Sequence, residues 1–212
     1  MLYDLTPPIT DRLSVWPGDT PPRREVLLDM KQGANLTLST LHATVHLGAH
    51  ADGPNHYGVD APSIDQRSLD VYLGPCQVIH VDVPGGQRIS SQMLDDALRC
   101  NPALPPRVLL RTGTYPDPTS FNEDFAALSP ELVDALHTRG VRLIGIDTPS
   151  VDLFTSKDLP SHKAFLRNDM AILEGIVLDA VPEGVYELIA LPLRLVGFDA
   201  SPVRAILRTL TN

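Results

Sequence analysis

The sequence predicts an α/β fold in which helices pack outside a mixed, barrel-like sheet. Three observations support it: short apolar runs rich in Val, Ile and Leu recur, Pro or Gly bounds them, and two segments carry helix signals. Branched side chains in runs of this length favour strands. The expected strands are 77–83, 107–111, 141–146, 171–179, 185–190 and 203–209.

The two helix signals are capping residues placed just before apolar patterns. Ser129 can cap a helix over 130–140, with proline at its first position and glycine at its end. Ser90 or Ser91 can cap a second helix over 92–100. A sequence of short strands with a few helices between them is typical of a sheet that has its helices packed on the outside.

Length and composition limit the possible classes of protein. The 212 residues predict one domain over 1–212. A net charge of -9 argues against nucleic-acid or anionic-membrane partners. No segment approaches the roughly 18 apolar residues of a membrane span, and the first residues do not read as a signal peptide. Cys76 and Cys100 form neither a disulfide framework nor a thiolate metal site, so we expect a cytoplasmic protein.

Residues 46–56, which read HLGAHADGPNH, are the most informative segment of the chain. They contain three of the seven histidines and a carboxylate, all at even positions. Side chains of an extended chain alternate with period 2, so four of them would lie on one side. These four are His46, His50, Asp52 and His56.

The segment must bend if its side chains are to share an ion. Full extension would separate His46 from His50 by roughly 13 Å, whereas each ligand approaches a metal ion to about 2 Å. Gly48 is the expected bend. Imidazole with carboxylate suits Zn²⁺, with Mn²⁺ or Fe²⁺ as alternatives. We interpret the segment as a metal site rather than a solvated loop.

Two residues further along the chain are candidates for the same site. Glu174 lies in an apolar run, where an ionised carboxylate is costly unless it is paired or binds a metal ion. The alternative for Glu174 is a solvent-facing position on an edge strand. His162 follows a polar stretch that reads as a loop, and alone it is not evidence of a site.

Trp16 is the only tryptophan and lies in a turn-like stretch. It can pack in the core, or it can form a platform for an aromatic ligand. The sequence contains no Gly-x-Ser-x-Gly nucleophile elbow and no nucleotide-binding glycine pattern. The chemistry is therefore expected to depend on the metal.

The motif resembles the signature of the cyclase-like metal-dependent hydrolases, His-x-Gly-x-His-x-Asp-x-Pro-x-His. Further segments resemble the bacterial kynurenine formamidases (arylformamidases) of that family, and the resemblance covers nearly the whole chain. These segments are Tyr3-Asp4-Leu5-Thr6-Pro7, Trp16-Pro17-Gly18-Asp19, Asp147-Thr148-Pro149-Ser150, 156–162 and Ile172-Leu173-Glu174-Gly175.

The resemblance implies a compact single domain of the swivelling β/β/α type, a homodimer and two Zn²⁺ per subunit. His46, His50 and Asp52 would hold one ion and His162 the second. Asp52 and Glu174 would bridge the two ions. His56 would be the catalytic proton donor and acceptor, and Trp16 would contact the substrate ring. The implied reaction is hydrolysis of N-formyl-L-kynurenine to L-kynurenine and formate, a step of tryptophan degradation in the kynurenine pathway.

Two other functions remain open at this point. One is another amide or cyclic-imide hydrolase of the same family, such as an isatin hydrolase, which the metal motif does not separate from a formamidase. The other is a metal-binding or ligand-binding module without catalysis. His56 argues against the second, because simple binding does not require a proton donor next to the ligands.

Overall fold

The computed structural model describes residues 1–98 and 103–210. Its strands are β1 (Leu2–Asp4), β2 (Arg23–Leu28), β3 (Leu38–His42), β4 (His50–Asp52), β5 (Leu73–His80), β6 (Arg88–Ile89), β7 (Arg107–Arg111), β8 (Ala127–Leu128), β9 (Leu143–Ile146), β10 (Ala171–Glu174), β11 (Gly184–Ile189), β12 (Ala200–Pro202) and β13 (Ile206–Thr209). The helices are α1 (Ser91–Ala97), α2 (Pro130–Thr138) and α3 (Pro160–Arg167).

Nine of these strands form one sheet in the order β1-β13-β11-β5-β7-β9-β10-β4-β12. The central strands β5, β7, β9 and β10 run parallel to one another. The flanking strands pair antiparallel. The predicted α/β fold with a mixed, barrel-like sheet and helices outside it is therefore confirmed.

Each face of this curled sheet covers its own apolar cluster, because side chains alternate along a strand. On one face, Val108 and Leu110 pack with buried residues of the three helices, among them Leu132 and Phe165. On the other face, Leu109 belongs to a second cluster. The helices therefore cover only one face, and the predicted ligands on β4 and β10 alternate towards that face.

Capping explains why α1 and α2 begin where the sequence predicts. The Ser129 hydroxyl accepts a hydrogen bond from the Leu132 N–H, and Pro130 occupies the first helical position. The Ser90 hydroxyl accepts from the Met93 N–H in the same way. The predicted end of α1 at Cys100 lies outside the described residues.

Two predictions of local structure are wrong, and both concern the site. The expected strand 171–179 ends at Glu174, because Gly175 adopts a left-handed φ of +64°. His162 lies in α3 rather than in a loop. None of the described helices has the length and apolar content needed to cross a membrane.

Candidate metal centre

Strand pairing brings three of the predicted ligands together. β4 lies between β10 and β12, and its register places His50 directly opposite Glu174. His50 and Asp52 are two residues apart on β4, so their side chains lie on the same face. All three side chains are buried, which excludes the solvent-facing alternative for Glu174.

Two glycines allow the backbone to bring His50 and Glu174 close to each other. Gly48 has a left-handed φ of +55°, which provides the predicted bend before β4. A Cβ atom on Gly175 would lie 2.3 Å from the Gly48 carbonyl oxygen. A side chain at position 175 would therefore push the end of β10 away from the bend.

The buried carboxylate of Asp152 both begins α3 and orients His162. It accepts hydrogen bonds from the backbone N–H groups of Ser161 and His162, which have no partner within the helix. It also accepts from His162 Nδ1, at 2.8 Å. The other ring nitrogen, Nε2, is then directed at Asp52 and Glu174.

Arg88 completes the charge balance around Asp152. Its guanidinium donates to Asp152 Oδ1 at 2.8 Å, to the Ser161 hydroxyl at 3.0 Å and to the Leu128 carbonyl at 2.6 Å. Paired in this way, the fully buried carboxylate of Asp152 avoids the cost of an isolated buried charge.

The separations between ligand atoms fit shared metal ions. Ligands of one tetrahedral Zn²⁺, each about 2.0–2.2 Å from it, lie roughly 3.3–3.6 Å apart. Asp52 Oδ1 is 3.2 Å from His46 Nδ1 and 3.5 Å from His50 Nε2. Asp52 Oδ2 is 3.6 Å from His162 Nε2. The two oxygens of Asp52 therefore face different histidines.

Glu174 connects the same two sides of the cluster. Its Oε2 is 3.3 Å from His50 Nε2, and its Oε1 is 3.8 Å from His162 Nε2. Among the described residues, three overlapping sets of candidate ligands have their ligand atoms within 4.8 Å of one another: His46, His50 and Asp52; Asp52, His56 and His162; and His46, His56 and Asp199.

Hydrogen bonding supports a metal ion at this cluster independently. Within residues 1–98 and 103–210, His50 Nε2 and both oxygens of Asp52 are buried without a hydrogen-bond partner. Leaving such atoms unsatisfied costs about 1–3 kcal/mol each. His50 Nδ1 donates to the Gly48 carbonyl at 2.9 Å, so its Nε2 carries a lone pair suited to a cation. The residues present therefore fit a metal ion.

The carboxylates also shift the titration of the histidines. Burial opposes protonation of both, but the neighbouring carboxylates outweigh it and raise the pKa of His46 to about 9 and of His162 to about 10. Asp52 is fully buried, yet the neighbouring imidazoles hold its pKa well below the usual value. The buried carboxylates of this cluster favour a bound cation.

His56 lies at the more exposed edge of the cluster, in a short 3-10 turn over Pro54–His56. Its ring centroid is 4.3 Å from that of His46 and 6.0 Å from that of His162. Its Nδ1 is 3.4 Å from Asp199 Oδ2, which also lies 3.1 Å from His46 Nε2. One carboxylate oxygen thus contacts two site histidines.

A cavity of about 550 Å³ opens onto the cluster and has an aromatic wall. Trp16, Tyr115 and Phe121 line it. The Trp16 ring is 5.6 Å from that of Phe121 and 5.1 Å from that of Phe154. The structure therefore places Trp16 at the cavity rather than in the core, with one third of its surface exposed.

Asp147, buried at the end of β9, holds the loop that carries part of this wall. Its carboxylate accepts from the backbone N–H groups of Thr112 and Gly113 at 2.9 Å and 2.8 Å. These bonds fix the turn that leads to Tyr115, whose hydroxyl is 2.8 Å from that of Ser14. The shape of the aromatic wall thus depends on a buried carboxylate.

The Cyclase family model, described as "Putative cyclase", matches residues 3–153. The chain belongs to this family. The matched residues include the whole 46–56 motif, whereas His162, Glu174 and Asp199 lie beyond them.

Solved structures resemble the chain over nearly its full length. A "predicted metal-dependent hydrolase from Bacillus stearothermophilus" is 28% identical, with a TM-score of 0.80, covering 98% of this chain and 97% of that one. A "potential metal-dependent hydrolase with cyclase activity" is 26% identical, with a TM-score of 0.82 and 98% and 96% coverage. Isatin hydrolase A from Labrenzia aggregata, at 20% identity, a TM-score of 0.84 and 98% and 93% coverage, shows the fold alone.

Inspection of the sequence missed Asp152, Asp199 and the aromatic partners of Trp16. Asp152 stands ten residues before His162, and its cap on α3 is a contact between separate segments. Asp199 lies more than 140 residues after His56. A local motif does not reveal either of them, because sheet pairing and helix packing create these contacts.

Proposed function

We propose that this cyclase-family protein is a zinc-dependent arylformamidase that hydrolyses N-formyl-L-kynurenine to L-kynurenine and formate in tryptophan degradation. One observation carries the proposal: a cluster of metal-ligand side chains and an aromatic wall line the same cavity. An aryl ring on the wall would present its formamide group to the cluster. Membership of the family and similarity to metal-dependent hydrolases support a hydrolytic reaction.

The proposed centre holds two Zn²⁺ per subunit. His46 and His50 would hold the first ion and His162 the second, and Asp52 and Glu174 would bridge them. This assignment is supported by the positions of Asp52 and Glu174, because the carboxylate of each lies near both His50 and His162. When bound, the ions would lower the pKa of water and polarise the formyl carbonyl.

The chain's own residues supply proton transfer and orientation. The amide nitrogen is a poor leaving group as an anion, so it must receive a proton as the C–N bond breaks. His56 is the proposed donor, because its side chain is 35% exposed at the cavity and an imidazole can both take up and release a proton. Trp16 and Phe121 would contact the aryl ring and exclude water from one side of it.

The structure brings a ring nitrogen of His56 within 4.8 Å of ligand atoms of Asp52 and His162. A ligand role for His56 is therefore the alternative to proton transfer. A His56→Ala variant that keeps two Zn²⁺ but loses turnover would support the proton-transfer role. Loss of zinc would support the ligand role instead.

A substrate comparison tests the reaction. The zinc-loaded protein should release L-kynurenine from N-formyl-L-kynurenine faster than it opens isatin, with both reactions followed by absorbance. Faster opening of isatin would show that the protein is a cyclic-imide hydrolase and not a formamidase. Inertness of folded, zinc-loaded protein towards both substrates would favour a binding module.

We also propose a cytoplasmic homodimer. The hairpin β2–β3 is solvent-exposed along most of its length and presents large apolar side chains, including Val26, Leu28 and Leu41. A two-stranded hairpin with apolar surface is poorly stable alone. Sedimentation of the purified protein at a monomer mass would contradict the homodimer.

A further inference from the structure

We propose that Asp199 is a positioning residue for His56: its carboxylate fixes the imidazole in the tautomer that keeps Nε2 free for proton transfer. The inference rests on the proposed function, since it assigns a partner to the proposed proton-transfer residue. Neither the metal motif nor the family match includes Asp199.

The carboxylate charge of Asp199 favours one tautomer of the His56 ring. Asp199 Oδ2 lies 3.4 Å from His56 Nδ1. An ionised carboxylate has no proton to donate, so this ion-pair contact favours the tautomer with the proton on Nδ1. In the neutral ring, Nε2 then carries the lone pair. It can take a proton from the attacking water and pass it to the leaving nitrogen, and Nδ1–H faces Asp199 throughout.

The backbone holds Asp199 in a fixed relation to the centre. Its carbonyl accepts a hydrogen bond from the Gly53 N–H at 2.7 Å. The next residue, Ala200, begins β12 and pairs with Asp52 of β4. The strand that carries a proposed ligand therefore also fixes the backbone from which the Asp199 carboxylate reaches His56.

A second contact gives Asp199 an alternative role. The same Oδ2 lies 3.1 Å from His46 Nε2, so Asp199 also orients a proposed metal ligand. Outer carboxylates of this kind affect metal affinity or activity by about 10- to 100-fold. The experiment must therefore separate an effect through His56 from an effect through His46.

A double-mutant cycle separates the two. We expect Asp199→Asn to lower kcat by about 10- to 100-fold in protein saturated with Zn²⁺, with KM within about twofold of wild type. In a His56→Ala background the same substitution should change the residual kcat by less than about twofold, because its target is gone. An undiminished effect in that background, or a loss of zinc affinity that accounts for the drop, would overturn the proposal.

Asp65→Asn is the matched control. Asp65 accepts from the Gly197 N–H at 3.0 Å and so anchors the loop before Asp199 without contacting the site histidines. Its substitution should leave kcat within about twofold of wild type. If Asp65→Asn reproduces the loss, loop placement rather than the Asp199 carboxylate is responsible, and the proposal fails.

A spectroscopic readout does not depend on the substrate. In ¹⁵N NMR of the zinc-loaded protein, His56 should be the Nδ1–H tautomer, and Asp199→Asn should shift its ring signals towards a mixture of tautomers. An Nε2–H tautomer in the wild type, or unchanged signals in the variant, would contradict the inference. Absence of formamidase turnover with the expected tautomer would reject the proposed substrate alone.

Discussion

The two sides of the centre differ in burial and in how the chain builds them. On the helix side, the side chains of His162, Asp152 and Glu174 are almost inaccessible. On the motif side, 17% of the His46 side chain, 35% of the His56 side chain and 45% of the Asp199 side chain are exposed. In each half, a carboxylate contacts the histidine ring nitrogen that does not face Asp52. Asp152 contacts Nδ1 of His162, and Asp199 contacts Nε2 of His46. We infer that the buried half contributes the proposed metal ligands His162 and Glu174, whereas the open half combines the proposed ligand His46 with the proton-transfer pair His56 and Asp199.

Removing a carboxylate that both halves share should have the largest effect. Asp52→Asn should abolish zinc binding and turnover, because Asp52 faces His46, His50 and His162. Metal content by atomic spectrometry checks this. His137→Ala, an exposed position at the end of α2, is the control and should retain both. Full zinc content in Asp52→Asn would contradict the assigned ligand set.

Breaking the buried half alone should weaken metal binding. Asp152→Asn removes the charge that orients His162, so we expect zinc affinity to fall by about 10- to 100-fold in competition with a chelator. The melting temperature should fall too, because the cap of α3 is weakened. An Asp152→Asn variant that keeps its zinc affinity but loses turnover would reverse the assignment of the two halves.

Zinc affinity should increase with pH. The pKa of His46 is raised to about 9 and that of His162 to about 10, so both are protonated at pH 7 before metal binds. Only neutral imidazole binds a metal ion, so binding must release these protons. At pH values below the raised pKa, the zinc affinity should increase about tenfold per pH unit for each proton that binding releases. Calorimetry in buffers of different ionisation enthalpy counts the protons, and a count of zero would contradict the prediction.

The aromatic wall should have the smallest effect, and it should act on binding. Trp16→Ala is expected to raise KM by about 2- to 12-fold, the equivalent of about 0.5–1.5 kcal/mol for an aromatic contact. Zinc content should not change, and Trp16→Phe should recover part of the loss. Steady-state kinetics with N-formyl-L-kynurenine decide this. An unchanged KM in Trp16→Ala would remove Trp16 from the substrate site.

The difference between the halves also explains what the sequence could predict. The motif half is built almost entirely from one short segment of sequence. This segment contains His46, His50, Asp52 and His56, and their alternate spacing and the glycines between them can be recognised in the sequence. The strands could also be predicted from local sequence, because short runs of branched apolar residues indicate buried strands. Residues distant in the sequence build the other half.

The missed helix α3 shows the limit of local signals. It has only eight residues, and its N-cap residue, Leu159, offers no capping side chain. Asp152 provides the cap from outside the helix, so the N-cap position itself carries no Ser, Thr, Asp or Asn that would mark the start of α3. Strand register likewise sets the position of Glu174 opposite His50, and register is a property of the assembled sheet.

Titration of the chelator-stripped protein with Zn²⁺, with release of L-kynurenine followed by absorbance, tests the central claim most directly. The two-ion centre predicts no turnover without metal and a maximum rate at two equivalents of Zn²⁺ per subunit. Turnover that survives complete removal of metal, or folded protein that binds two equivalents and stays inactive, would contradict it.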